Sequence, residues 1–381
     1  MRFIHLSDLH IGKSVNGFSM LDEQRHVFGQ IYEYIESKKA DVVIIAGDVY
    51  DRAVPGVEAV KLFDYFLTEL ARLKATVMIV SGNHDSPERL SFARKLLSRR
   101  NIYICGEYDG TLRYVTLQDE YGNICFWLLP FIKPSSVNGF FPGREIESYG
   151  DALAVVLETG KIDLNIRNVL ISHQYYTPEG VSLIRSESEL SPIGGLDAID
   201  SGLLRHFDYA ALGHLHKSQK AGHDHIRYAG SPVKYSFSEC QHEKSVLLVE
   251  IHEKGALTVE ALPLKPLRDM RKIKGKLDAL LNEEAAFQAK RDDYLHVILT
   301  DEEELVDPMG KIRSVYPNVM SLEFENSRTS IDLAAVSSEG DPVKLSTYDL
   351  FCEFFMDIQG CVMSEEQAAI IKDILEAEVS Q

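Results

Sequence analysis

Five short stretches carry side chains suited to metal chemistry, and each follows an apolar run. "SDLH" supplies Asp8 and His10, "GDVYD" supplies Asp48, "GNHD" supplies Asn83 and His84, "SHQ" supplies His173, and "LGHLH" supplies His214 and His216. Asp and Asn offer oxygen, His offers nitrogen, and no thiolate is among them. That mixture suits Mn2+, Fe or Zn2+ better than Ca2+ or an iron–sulfur cluster. Seven ligands exceed the need of one tetrahedral ion and suit two ions sharing a carboxylate. We assign Asp8, His10, Asp48 and His216 to one ion, and Asp48, Asn83, His173 and His214 to the other, with Asp48 as the bridge. Two ions about 3.5–4 Å apart supply a nucleophilic hydroxide at neutral pH and clamp the attacking and leaving oxygens of an in-line phosphoryl displacement. Residues i and i+2 of a strand share a face, so His214 and His216 are expected to point the same way. Asp51 has two open readings: it orients His84, or it caps the segment that follows. The other eight of the thirteen histidines read as packing or surface residues.

The elements that must position these groups are short and β-rich. Strands are expected at Arg2–Asp8, Asp41–Asp48, Thr76–Asn83, Asn123–Pro130, Asn168–Gln174 and Tyr209–His216. Most are continuously apolar, as in strands covered on both faces. Helical stretches lie at Asp22–Lys38, Val57–Leu73 and Pro87–Arg99. The alternation predicts an α/β sandwich with helices outside, its ligands at the carboxyl ends of strands. "HIRYAGSPVKYSFSE" and "KSVLLVEIHEKGALTVEALPL" read as a β-meander that closes this domain near residue 265. A small α+β domain with a polar linker follows over 266–340. It opens with a charged helix (Gly275–Lys290) and carries a basic run, Arg268, Arg271, Lys272, Lys274 and Lys276. Residues 341–381 read as two helices. Ser346 with Asp349 caps the first, whose Leu350, Phe351, Phe354, Phe355 and Ile358 share a face. Gly360 ends it, and Ser364 with Gln367 caps the second, which carries Ile370, Ile371, Ile374 and Leu375.

Composition narrows the class. The five cysteines are scattered, with no C-x-x-C pair, which suits a reducing cytoplasm and argues against a disulfide framework or a zinc knuckle. No apolar run is long enough to cross a bilayer, and "MRFIHLSD" reads as a strand. A formal charge of −18 disfavours nucleic acid as a partner in general. Bound divalent cations offset that at the one place where a phosphate must lie.

The order D-x-H, G-D-x-x-D, G-N-H-D, a lone His, then G-H-x-H resembles the calcineurin-like metallophosphoesterase superfamily, over residues 1 to about 240. Within it, "IGGLDAID…FDYAALGHLH" and "YAGSPVKYSFSE" resemble the SbcD family of nuclease subunits, which work with the SbcC ATPase. The resemblance implies a metallophosphoesterase β-sandwich flanked by helices (1–265), a small α+β capping domain that touches DNA (266–340) and a C-terminal helical pair. It implies the seven ligands above and two divalent ions, Mn2+. It makes His84 the histidine that faces the phosphate, stabilising the transition state or protonating the leaving 3′-oxygen. The family's archaeal members carry a histidine where this chain has Asp51, which we retain as a candidate catalytic residue. The implied activity is Mn2+-dependent exonuclease and endonuclease action on DNA ends and hairpins, in repair, recombination and replication. The implied partners are DNA, the SbcC ATPase through residues 346–381, and a second copy of the chain through helices 57–73 and 87–99.

Two rivals share the motif. One is a small-substrate phosphoesterase such as a cyclic-nucleotide phosphodiesterase. The other is a protein phosphatase, in which Arg52 of "GDVYDR" would grip phosphate, but there the next motif normally ends in Glu where this chain has "GNHD". A scaffold that has lost catalysis is disfavoured, because all seven ligands and His84 are present.

Overall fold

The computed structural model describes residues 1–189, 198–282, 290–326, 348, 351–352, 355–356, 362–364 and 367–372. The chain divides into two compact units, Met1–Met270 and Arg271–Gln381.

In the first unit two six-stranded sheets face each other. One contains the parallel strands Arg2–Leu6, Val42–Ala46, Thr76–Val80 and Ile102–Cys105, extended at one edge by the antiparallel pair Ser245–Ile251 and Leu257–Pro263. The other contains the parallel strands Gly122–Leu129, Arg167–His173, Tyr209–Gly213 and Ile226–Tyr228, with Arg113–Asp119 and Gln219–Lys220 antiparallel at its edges. Val42–Ala46 and Arg167–His173 are buried at every position, which is why their sequences lack a polar alternation. Between the sheets Phe3, Val42, Ile44 and Met78 meet Phe126, Val169, Ile171 and Tyr209. Phe3 packs edge-on against Phe126 and Tyr209, with ring centroids 5.8 and 5.6 Å away.

Helices cover the outer faces. Leu21–Lys38 and Val57–Arg72 pack together through stacked Phe28 and Phe66, 4.2 Å between centroids. Tyr149–Thr159 buries Ala152, Leu153 and Val156 in a cluster with Trp127, Leu170 and Leu212 of the second sheet. Its Ser148 is an N-cap that accepts from Asp151 N while the Asp151 carboxylate accepts from Ser148 N.

Two of the elements expected in this unit take another form. The helix expected over Pro87–Arg99 is two short turns, Pro87–Leu90 and Arg94–Leu97, separated by Ala93 at φ 59°. Its apolar residues do not form one stripe: Leu90 is buried, whereas Phe92 and Leu96 are 81% and 66% exposed. The β-meander near the end of the unit is also not one element. Ile226–Tyr228 joins the second sheet, and the hairpin from Ser245 to Pro263 joins the first.

In the second unit Met270–Gly275, Tyr294–Leu299 and Val319–Phe324 form a three-stranded sheet. The helix Pro308–Val315 has proline in its first turn and Asp307 as its N-cap. Leu277, Leu295, Val297, Leu299, Ile312, Tyr316 and Val319 make the core. The charged helix expected from Gly275 is short, Leu277–Leu281, and residues 283–289 lie outside the described set. Three residues of the basic run, Arg271, Lys272 and Lys274, fall on a strand, where Arg271 pairs with Asp293 and Lys274 with Glu325. Of the tail, Ser364 and Gln367 cap reciprocally at 2.9 and 3.3 Å. The expected cap Ser346–Asp349, and Leu350, Phe354, Ile358, Gly360, Ile374 and Leu375, lie outside the described residues. Among the described residues no helix is long and apolar enough to cross a membrane.

Candidate metal centre

The parallel strands of both sheets end at one place. Asp8 and His10 follow Arg2–Leu6, Asp48 follows Val42–Ala46, Asn83 and His84 follow Thr76–Val80, His173 ends its own strand, and His214 and His216 follow Tyr209–Gly213. The loops after the first two strands are laced by main-chain bonds, Asp8 N to Gly47 O (3.1 Å), His10 N to Asp48 O (2.9 Å) and Ile11 N to Val49 O (2.9 Å). Four of the site residues turn the chain with positive φ: Asp8 (52°), His10 (42°), Asp48 (48°) and His214 (108°). Such backbone is unfavourable for residues with a Cβ and concentrates at functional sites.

The structure brings the expected residues together. Asp8, His10 and His216 offer ligand atoms within 4.8 Å of one another, as do Asp8, Asp48 and His173, and His10, Asp48 and His84. Asp48 Oδ2 is 3.6 Å from His10 Nε2 and 3.3 Å from His173 Nε2, so one oxygen faces both halves. Asn83 Oδ1 lies 3.1 Å from His173 Nε2 and 3.1 Å from His214 Nδ1. Gly82 admits this geometry, because a Cβ there would sit 2.0 Å from Asp48 Oδ1.

His214 and His216 do not share a strand face, contrary to expectation. Their strand ends at Gly213, the chain twists at His214, and the two rings part company. His214 turns to Asn83, and His216 Nε2 faces His10 Nε2 at 3.1 Å.

Asp51 meets His84 through its main chain. Its main-chain carbonyl, not its carboxylate, accepts from His84 Nδ1 at 2.9 Å. The carboxylate pairs with Lys13 Nζ at 2.8 Å and stands 3.9 Å from His10 Nδ1. Arg52 is 68% exposed and its guanidinium lies 3.6 Å from the same carboxylate. His84, half-buried, donates its main-chain N–H to Asp48 Oδ1 at 2.9 Å.

The donor set fits divalent cations. His173 Nδ1 donates to the Ala46 carbonyl at 2.8 Å, which directs Nε2 at Asp48 and Asn83. Burial pushes the Asp8 carboxyl up to about 7, and the Asp48 charge adds to the push against His173. Asp48 is held well below the usual range: burial opposes this, but His173 and His10 outweigh it. Burial alone would lower His173, yet the Asp48 charge raises it to about 9. Burial drives His10 well down and His214 to about 3. Two buried carboxylates thus face the neutral rings of His10 and His214 and a His173 ring that the carboxylates charge, an environment that draws positive charge and that a cation completes.

Three supporting residues escaped the sequence reading. The Asp85 carboxylate accepts from Val49 N (3.1 Å), Tyr50 N (2.9 Å) and Gly82 N (2.9 Å), fastening two of the strand ends. Glu239 and Lys244 form a buried ion pair at 2.6 Å beside His216. Asp85 was in view as the last letter of "GNHD"; only the tertiary contacts reveal its role.

A family model described as calcineurin-like phosphoesterase matches residues 1–218. A second, described as the Type 5 capsule protein repressor C-terminal domain, matches residues 266–358. The SbcD component of the SbcCD nuclease of Staphylococcus epidermidis is 32% identical over 378 residues, covering 98% of this chain and 98% of that one. Among solved structures, a phosphopantetheinyl hydrolase from Mycobacterium tuberculosis is 16% identical over 60% of this chain and 89% of its own, with TM-score 0.37. A dimetal phosphatase from Danio rerio is 11% identical over 69% and 96%, with TM-score 0.39. With a family model over the metal-centre domain and a nuclease relative along nearly its whole length, the chain belongs to the calcineurin-like phosphoesterases and, within them, to the SbcD nuclease family, and is a metal-dependent phosphodiesterase.

Proposed function

We propose that the chain is the nuclease subunit of an SbcC–SbcD-type complex and hydrolyses phosphodiester bonds in DNA at a centre of two Mn2+ ions. The observation that carries the reading is Asp48 Oδ2, which faces nitrogen donors of both half-sites at 3.6 and 3.3 Å. Asp8, His10, Asp48 and His216 would hold one ion, and Asp48, Asn83, His173 and His214 the other. Bound divalent ions supply Lewis acidity toward the phosphate and a nucleophile at neutral pH. The chain's own groups do the rest. The bond from His84 Nδ1 to the Asp51 carbonyl fixes the ring and leaves Nε2 as the atom that can hold a proton for the leaving 3′-oxygen. Asp51 thus serves through its main chain, and its carboxylate steadies Lys13, a positive charge beside His10.

The proposed complex works on DNA ends and hairpins in the cytoplasm, with SbcC bound through residues 346–381. Residues 1–265, 266–340 and 341–381 are proposed as nuclease, capping and SbcC-binding parts. A homodimer would use the segments 57–73 and 87–99, where Val57, Val60, Phe92 and Leu96 are 70%, 45%, 81% and 66% exposed.

The test compares Mn2+-dependent cleavage of linear duplex DNA with hydrolysis of bis-p-nitrophenyl phosphate. Activity on the small diester without cleavage of DNA would refute the nuclease reading. In parallel, His84→Ala is expected to lose about 10²–10⁴-fold in kcat while keeping its metal, as read by elemental analysis.

A further inference from the structure

The stretch "YAGSPVKYSFSE" (Tyr228–Glu239) and Lys244 beyond it provide none of the proposed ligands, yet they enclose His216. Gly230 has φ +81°, and a Cβ there would lie 2.8 Å from the His216 carbonyl oxygen and 2.7 Å from Ser218 N. Only glycine lets this segment run against the His216 main chain. Ser231 N donates to the His216 carbonyl at 3.1 Å, and Lys244 Nζ donates to it at 2.8 Å. Lys244 Nζ also donates to Ser231 Oγ at 2.8 Å and to Glu239 Oε2 at 2.6 Å.

Glu239 is wholly buried, and its Oε1 accepts from Ser188 Oγ at 2.6 Å. With that proton committed, Ser188 Oγ can only accept from His216 Nδ1, 2.8 Å away. The proton on Nδ1 leaves the lone pair on Nε2, the atom that faces His10. Glu189 accepts the His216 N–H at 2.7 Å. Tyr235 stands edge-on to both rings, 5.5 Å from His10 and 5.8 Å from His216, with its hydroxyl bonded to Leu9 O and Gln24 Nε2. The other half-site is held differently. His173 is oriented by the Ala46 carbonyl, and His214 by its own main-chain bond to Asp8.

We propose that Tyr228–Lys244 is a positioning clamp for the His10–His216 half-site, and that the Glu239–Lys244 pair sets the ion affinity of that half-site alone. The inference rests on the two-ion reading above. It gives a physical role to a motif that marks the family but contributes no ligand.

The test is the double variant Glu239→Gln/Lys244→Met, which keeps side-chain size and leaves no unpaired buried charge. Mn2+ is titrated by calorimetry, and electron paramagnetic resonance reads whether the two ions are coupled. One binding step should weaken about 10–100-fold while the other is unchanged. At Mn2+ levels that saturate the wild type, the signal of a coupled pair should give way to that of an isolated ion. Equal weakening of both steps, or no change in either, overturns the proposal. Should the double variant fail to fold by circular dichroism, Ser188→Ala removes the hydroxyl relay alone. Selective weakening of one step by Ser188→Ala supports the clamp, and unchanged or uniform affinity rejects it. A wild-type protein that takes up no Mn2+ would defeat the two-ion reading first, and the clamp with it.

Discussion

Arg167 and His173 are the first and last residues of one fully buried strand, and their surroundings are opposites. At the Arg167 end charge is matched within the chain. The guanidinium donates to Asp119 (Nη1 to Oδ2, 3.0 Å), to the His252 carbonyl (2.8 Å) and to the Gly122 carbonyl (2.7 Å), and the Met1 amino group joins Asp119 at 2.9 Å. At the His173 end Asp8 and Asp48 face imidazoles, and among the described residues no lysine or arginine forms an ion pair with either carboxylate. The fold supports both arrangements on one strand. A cluster whose cation belongs to the chain is a fastener, and one whose cation must come from solution is a site.

The most drastic way to break this contrast is Asp48→Ala. It should remove both ions, as read by elemental analysis, and lower activity by more than the roughly 10²–10³-fold that one electrostatic group supplies. The urea midpoint of the ion-free protein should also fall at neutral pH, because the depressed Asp48 carboxyl, balanced there by His173, and its bond from the His84 N–H are lost together. Retention of both ions would show that Asp48 is not shared. At the opposite end Arg167→Met should cost about 3–5 kcal/mol of stability and leave Mn2+ affinity untouched. A variant that loses metal instead would mean that the two ends communicate.

Acid sharpens the comparison. The hydrogen bond from Arg167 holds Asp119 below the usual carboxylate range. A depressed carboxyl stabilises the fold above its unfolded pKa of about 3.9, and that contribution is lost as pH falls through the lower, folded value. The stability gap between wild type and Arg167→Met should therefore hold from pH 7 to about pH 4 and narrow below it, measured by urea midpoints. A gap that persists unchanged under more acid conditions would assign it to the carbonyl bonds instead. The smallest effect is expected for Lys254→Ala. Lys254 is 40% exposed and pairs with Asp208 at 3.1 Å, so its loss should cost under about 1 kcal/mol.

Much of this was legible in the sequence, for identifiable reasons. Continuous apolar runs announced strands covered on both faces, and five of the six expected strands ended in a donor, so the site residues could be named before their contacts were known. What the text hid was backbone shape. The spacing of His214 and His216 invited a common strand face, but the chain leaves the sheet at Gly213 and turns through φ 108°. Pro87–Arg99 has helical composition, yet Ala93 at φ 59° divides it. Nothing in the sequence marked Glu239 and Lys244 as a buried pair, because their burial depends on a segment distant in the chain, at His216. In the second unit, lysines and arginines masked the strand Met270–Gly275, where buried Met270 and partly buried Ile273 remain as the apolar signal.

The lacing of residues 8–11 onto 47–51, with four residues of the centre in left-handed or related backbone, bears on how such a centre could be moved to another protein. Grafting the seven side chains onto an unrelated sandwich would aim them wrongly, since an ordinary strand end cannot reproduce these torsions. The transferable part is the two loops together, knotted by their own amides, and a recipient scaffold must first offer neighbouring parallel strands that terminate in step.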